Sequence, residues 1–223
     1  MKKMILLGLS ITLLAACKVE MSTQIPYSKL FDKNIEVAKS SLLVEVASCT
    51  HYEDSRKPSD TLMEARGTIA DLFPDAEFNE CYTQKFNSYA KFSLPIAYGA
   101  VEALKPEHPK VRVLSYNNKV AFVDVAPSLK KKLEGYQNKK YSLSGFKPSE
   151  MSIILSVKND TDSDQKIDLA SVYVDDYPVI SAQGYDFKKG STINLTLSNI
   201  SAETVFLPSD HKQMAYFMVK TDN

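Results

Sequence analysis

The 223-residue sequence has no tryptophan, three histidines, three cysteines and seven glycines, and its basic and acidic residues number 27 each. Each scarcity excludes something. A formal net charge of +0 provides no basic footprint of the kind a nucleic-acid binder needs, so no nucleic acid is expected as a partner. His51, His108 and His211 lie far apart, and no Walker A loop, H-E-x-x-H helix or dinucleotide fingerprint occurs. No cofactor is therefore expected. After residue 16, no apolar run approaches the length of a membrane span. What is present is ordinary for a folded body. Apolar residues make up 44% and charged residues 24%, enough to build a core and too apolar for disorder.

The one long apolar run lies at the start. Lys2 and Lys3 precede Met4–Ala16, which is interrupted only by small residues such as Gly8, Ser10 and Thr12. As a helix it would span about 20 Å against a hydrocarbon core of about 30 Å, too short to cross and right for a signal-peptide core. It ends in Leu14-Ala15-Ala16-Cys17. This tetrapeptide resembles the lipobox of bacterial lipoproteins. The resemblance implies a diacylglyceryl thioether on Cys17, removal of residues 1–16 and an acylated new N-terminus. Several acyl chains, at about 0.8 kcal/mol per buried CH₂, make a durable anchor. Lys18 stands where an Asp would favour inner-membrane retention, so the expected location is the outer membrane, on its periplasmic face or at the cell surface.

With Cys17 assigned to lipid, Cys49 and Cys81 remain. A lone pair in an oxidising compartment is most simply a disulfide. A redox pair would want a C-x-x-C spacing, which is missing.

The expected fold class is α+β, mostly β. Residues 17–33 read as the lipidated Cys and a tether. Residues 34–145 read as an α+β domain, a mixed sheet with one or two helices, and 149–223 as a small β-sandwich-like domain. Leu42, Val44 and Val46 alternate with Leu43 and Glu45 as in a half-buried strand. Thr61 and Glu64 make a possible capping box for a helix carrying Leu62, Ala65, Ile69 and Leu72, which Pro74 ends. Phe86–Tyr98 is strand-like, with Pro95 suggesting an edge or a break. Asn117-Asn118 reads as a tight hairpin turn and Pro127–Tyr136 as a short helix. After Met151 the pattern is entirely β. Ile167–Val174 runs into the turn Asp175-Asp176, Ile193, Leu195 and Leu197 alternate cleanly, and Met214, Tyr216 and Met218 alternate at the end.

Three stretches besides the lipobox carry a second resemblance: Gln24-Ile25-Pro26-Tyr27-Ser28, Val44-Glu45-Val46-Ala47-Ser48-Cys49, and Phe73-Pro74-Asp75-Ala76-Glu77-Phe78 ahead of Cys81. Together they resemble a group of uncharacterised lipoproteins from bacteria, plasmids and phages. The likeness covers the first half better than the second and assigns no functional residues.

Four constellations bear on chemistry. Ser209-Asp210-His211 has the letters of a catalytic triad, but consecutive residues rarely meet in that geometry, and a turn is the expected reading. His51 and Glu53 beside Cys49 have no third metal ligand nearby. Asp160, Asp162, Asp164 and Asp168 resemble the start of an EF-hand loop. Gln165 stands where that loop needs Gly and Ser171 where it needs Glu, so calcium is a weak candidate beside a solvated turn. Lys130, Lys131, Lys132, Lys139 and Lys140 form a basic patch able to touch a membrane surface.

The expectation is a non-enzymatic binding module, attached to the membrane by lipid and partnered by an unidentified envelope protein. Its anchors are expected on aromatics of an exposed strand or loop, with Tyr173, Tyr177 and Tyr185 as candidates. The alternatives are a carrier or sensor of an apolar ligand and, further off, a hydrolase.

Overall fold

The computed structural model describes residues 18–137, 151–206 and 214–221. β1 (Val19–Pro26) leads into the single turn α1 (Tyr27–Leu30), then β2 (Ile35–Val46), α2 (Asp60–Leu72), β3 (Glu77–Gln84), β4 (Asn87–Ala100), β5 (Val111–Tyr116), β6 (Val120–Val125) and α3 (Pro127–Gln137). β7 (Met151–Lys158), β8 (Gln165–Val174), β9 (Tyr177–Phe187), β10 (Thr192–Leu197), α4 (Asn199–Phe206) and β11 (Ala215–Lys220) complete it.

The chain is mostly β with few helices, as the sequence leads one to expect. The strands do not form a sheet followed by a sandwich. They run side by side in the order β10-β7-β1-β2-β4-β5-β6-β11-β8, and β8 pairs back onto β10, closing a nine-stranded barrel. β8 makes this closure by pairing β11 through Ile167–Leu169 and β10 through Val172–Val174. β3 is attached to β4, and β9 to β8.

Two expected divisions of the chain are not divisions of the fold. Val19–Pro26, read as tether, is a barrel strand. It pairs antiparallel with β2 from Val19↔Val44 to Ser22↔Ser41, and parallel with β7 from Val19↔Met151 to Pro26↔Lys158. The boundary placed at residues 145–149 separates β6 from β7 in sequence only, because β7 pairs with β1 and carries β10 on its other side, while β11 and β8 continue from β6.

The alternating pattern explains the ring. On β1, Val19, Met21, Thr23 and Ile25 are buried. Across the ladders Met21 meets Leu42 and Ile153, Leu42 meets Phe92, and Leu155 meets Leu195. Met21, Leu42, Leu155, Leu195 and Phe217 are fully buried, so packed side chains fill this interior. Truncating one such aliphatic residue to Ala costs about 2–5 kcal/mol. β5 is buried on both faces, and Arg112 on its second face pairs with the cross-strand Asp124 at 3.3 Å.

Local chemistry sets the joints. α2 buries Leu62, Ala65, Ile69 and Leu72, but its N-cap is Ser59, whose Oγ accepts from the Leu62 N–H at 3.1 Å, two residues before the expected Thr61. Asn117 and Asn118 both hold positive φ in the β5–β6 turn, and Asp175 and Asp176 do so between β8 and β9. Gly99 has φ +131°, and a Cβ there would lie 2.0 Å from the Asn34 carbonyl oxygen, so no other residue fits. Pro95 falls between the end of β3 pairing at Ser93 and the start of β5 pairing at Ala97, where β4 pairs with β2 alone and a missing N–H is tolerated.

Cys81 on β3 is disulfide-bonded to Cys49 beyond the end of β2, with Cα atoms 5.6 Å apart. The bond fastens β3, an edge strand, to the loop after β2. Cys49→Ser should lower the unfolding free energy by about 3 kcal/mol for a loop of this length. Chemical denaturation with and without reductant checks it: reductant should destabilise the wild type and leave the variant unchanged. A wild-type midpoint indifferent to reductant would contradict the bridge.

Candidate functional site

The sequence-derived candidates disperse over the surface. His51 Nδ1 accepts from the Glu53 N–H at 3.2 Å and its ring stacks on Tyr52 at 4.7 Å. The pair His51 and Glu53 thus closes its own turn, in a loop also held by Asp54–Arg56 hydrogen bonds and a Thr50–Pro58 bridge. His108 Nδ1 accepts from the Lys105 N–H at 3.0 Å. Ser209, Asp210 and His211 lie outside the described residues, as do Cys17, Lys139 and Lys140. On α3, Lys130 is half-buried and Lys131 exposed, while Lys132 reaches α2 and donates to the Asp71 carbonyl at 2.7 Å.

The four aspartates of the acidic stretch are each spent on contacts within the protein. Asp160 accepts from the Ser28 backbone N–H at 2.8 Å and from its hydroxyl. Asp164 accepts from the Lys189 N–H at 2.8 Å and from the Lys188 ammonium at 2.9 Å. Asp162 faces Lys189 at 3.4 Å, and Asp168 accepts from the Gly184 N–H at 2.8 Å. Among the described residues no group of three or more His, Cys, Asp or Glu is placed to hold a metal ion. Asp160, Asp162 and Asp164 staple the β7–β8 turn to α1 and to the β9–β10 turn, while Asp168 on β8 holds β9. For Asp160, burial pushes the carboxyl up, but the two Ser28 hydrogen bonds outweigh it and the group sits below its usual range. Asp164 is lowered by the Lys189 backbone hydrogen bond and then by Lys188.

A shallow groove of about 330 Å³ opens on the outside of the barrel where β3 leaves β4, lined by Val37, Ala38, Lys39, Asp75, Glu77 and Pro95. Lys39 and Glu77 pair across it at 3.0 Å. Ser93 completes the lining; its hydroxyl donates to Asn79 Oδ1 at 2.9 Å, and no histidine is among the lining residues.

The most conspicuous surface is the β8–β9 hairpin. β9 pairs with β8, and among the described residues no strand covers its other edge. Tyr177 is 77% exposed, Ile180 90% and Tyr173 40%. Tyr185 is half-buried and packs against the core. Of the three candidate tyrosines, Tyr173 and Tyr177 are therefore on the open surface and Tyr185 helps to hold the hairpin down. Ile180 was not foreseen. Its clue lay in Tyr177-Pro178-Val179-Ile180 directly after a two-residue Asp-Asp turn, which marks a returning strand.

One family, described as a domain of unknown function (DUF7424), matches residues 19–221, from the first residue of β1 to the residue after β11. The chain belongs to the DUF7424 family. The family's span coincides with the barrel, so its unit is the whole ring. No curated protein and no solved structure matches the chain.

Asp160→Asn tests the staple of this DUF7424 barrel. It should lower the thermal midpoint at neutral pH. A carboxyl held below its ordinary value stabilises the fold above that value and loses the effect as pH falls through the lower, folded one. Wild-type and variant midpoints should therefore converge as pH drops below the ordinary aspartate value of 3.8. Midpoints that differ equally at neutral and strongly acid pH would refute this.

Proposed function

We propose that this protein is a lipid-anchored envelope protein that works by binding another protein, and that the partner docks along β9. The observation that carries the reading is the edge of β9 that no strand covers among the described residues, flanked by Tyr177 and Ile180. An uncovered strand edge presents unpaired N–H and C=O groups, and natural proteins usually blunt such edges with charge. On β9 Pro178 and the bulge opposite Ile167–Leu169 blunt part of the edge, while Tyr177 and Ile180 stay exposed beside the stretch between them. A partner strand added to this edge gains backbone hydrogen bonds, and its side chains meet the apolar ones. The placement of His51 and His108, each bonded to its own loop backbone, supports binding over acid–base catalysis. The filled interior supports it over carriage of an apolar ligand.

Lipidation of Cys17 rests on the Leu14-Ala15-Ala16-Cys17 sequence, and Lys18 directs the anchored protein to the outer membrane. Two measurements test the two parts. Cys17→Ala should abolish fatty-acid labelling and release the protein from the membrane fraction. Equal labelling in wild type and variant rules the anchor out. For the surface, a photo-crosslinker at position 180 in cells should capture a discrete envelope protein. Tyr177→Ala should weaken that partner's binding by about 10- to 100-fold, the usual cost of removing an aromatic anchor, with an unchanged melting temperature. Undiminished binding by a Tyr177→Ala, Ile180→Ala double variant excludes β9.

A further inference from the structure

The barrel has a proximal end, where β1 begins, and that end carries exposed apolar side chains. The Lys18 carbonyl accepts from the Glu45 N–H at 2.9 Å, so the chain is locked into the ladder one residue after Cys17. No slack tether separates Cys17 from the fold. Register then identifies what lies beside it across the strands. Glu45 pairs with Tyr89 on β4, and Tyr89 with Tyr82 on β3. The β3–β4 hairpin runs on past that register to its tip at Lys85 and Phe86, about 10 Å further along the strands at roughly 3.3 Å per residue.

Phe86 is 101% exposed, a full phenyl ring in water at the tip of a disulfide-fastened hairpin. From Thr83 to Ser88 the hairpin carries Lys85 and no acidic residue. α4 begins at the same end, because it follows β10, whose Thr196 pairs with Ile154 near the start of β7, and Met151 pairs with Val19. Its second residue, Ile200, is 76% exposed.

We propose that the proximal end of the barrel lies flat against the bilayer, with Phe86 immersed at the headgroup–acyl boundary and Ile200 facing the same surface. This rests on lipidation of Cys17, and the geometry does the rest. An acyl-bearing residue one position from Lys18 holds the barrel at the membrane with no spacer. With barrel strands tilted about 35–45° to the axis, the tip projects by less than that strand length, which matches the depth to which interfacial apolar groups sink, about 5–10 Å. Aromatic rings favour that zone, and the Lys85 ammonium beside the ring meets lipid phosphates there. Acyl chains and an inserted aromatic tip together fix an orientation that acyl chains alone leave free. The far end of β4, where Ala100 pairs with Ser115 next to Tyr116, points away from the lipid.

The sequence has no Trp, so a single introduced indole reports without background. The full-length acylated protein carrying Phe86→Trp, and separately Tyr116→Trp, is reconstituted into phosphatidylethanolamine–phosphatidylglycerol vesicles containing brominated acyl chains. The Phe86→Trp indole should be quenched severalfold by bromolipid and shielded from aqueous iodide. The Tyr116→Trp indole should show the reverse. Protein that floats with the vesicles while its Phe86→Trp indole stays open to iodide and unquenched by bromolipid overturns the orientation alone. Protein that fails to float removes the anchor and the orientation with it.

Discussion

The parallel pairing of β1 with β7 is the interaction on which the rest of this structure depends. Eight consecutive residues, Val19–Pro26, lie in register with Met151–Lys158, strands more than 130 residues apart in sequence. β1 is the strand between β2 and β7, and its Met21 joins Leu42 and Phe92 on one side to Ile153 and Leu155 on the other in one packed layer. Parallel neighbours need a long crossover, and here nearly the whole N-terminal half supplies it. Contacts of such sequence separation are costly to close and slow to form. The disulfide, the Asp160–Ser28 staple and the Arg112–Asp124 pair secure segments whose positions this ladder has already fixed.

The same ladder joins the two surfaces assigned above. Because β1 is a barrel strand from Val19 onward, an anchor at Cys17 would hold a rigid body. The proximal end then has a fixed relation to the membrane, and so does the β8–β9 hairpin, which β10 and β11 hold in place. A binding edge on such a body is presented at a set height and angle. A flexible tether would lose that definition.

Local features were legible where one physical rule dominates. The α2 face, the two-residue turns with positive φ and the β10 alternation all follow from short-range pattern, and the Cys49–Cys81 bridge follows from counting cysteines. Three features were hidden for definite reasons. β1 carries alternating Val19, Met21 and Ile25, but polar Thr23 interrupts the stripe and the neighbouring lipobox invited a tether. β4 holds Pro95, a usual mark of an edge strand, at the one stretch of a central strand that tolerates it. α4 has Ser201 and Ala202 on its buried face, too small to give a helical apolar stripe. The ring itself was beyond reach, because a sequence pattern shows which face of a strand is buried and not which distant strand lies beside it. Of the candidate surface, Tyr173 and Tyr177 were readable as aromatics beside a turn. Ile180 and Phe86 matter through exposure, which only the fold reveals.

Both halves of the chain build one barrel. A protease site inserted between Gln137 and Met151 cuts the covalent link between those halves while leaving every ladder in place. The cut protein should still elute as one species and unfold in a single transition shared by both fragments. Fragments that separate and each remain folded, with independent transitions, would contradict it.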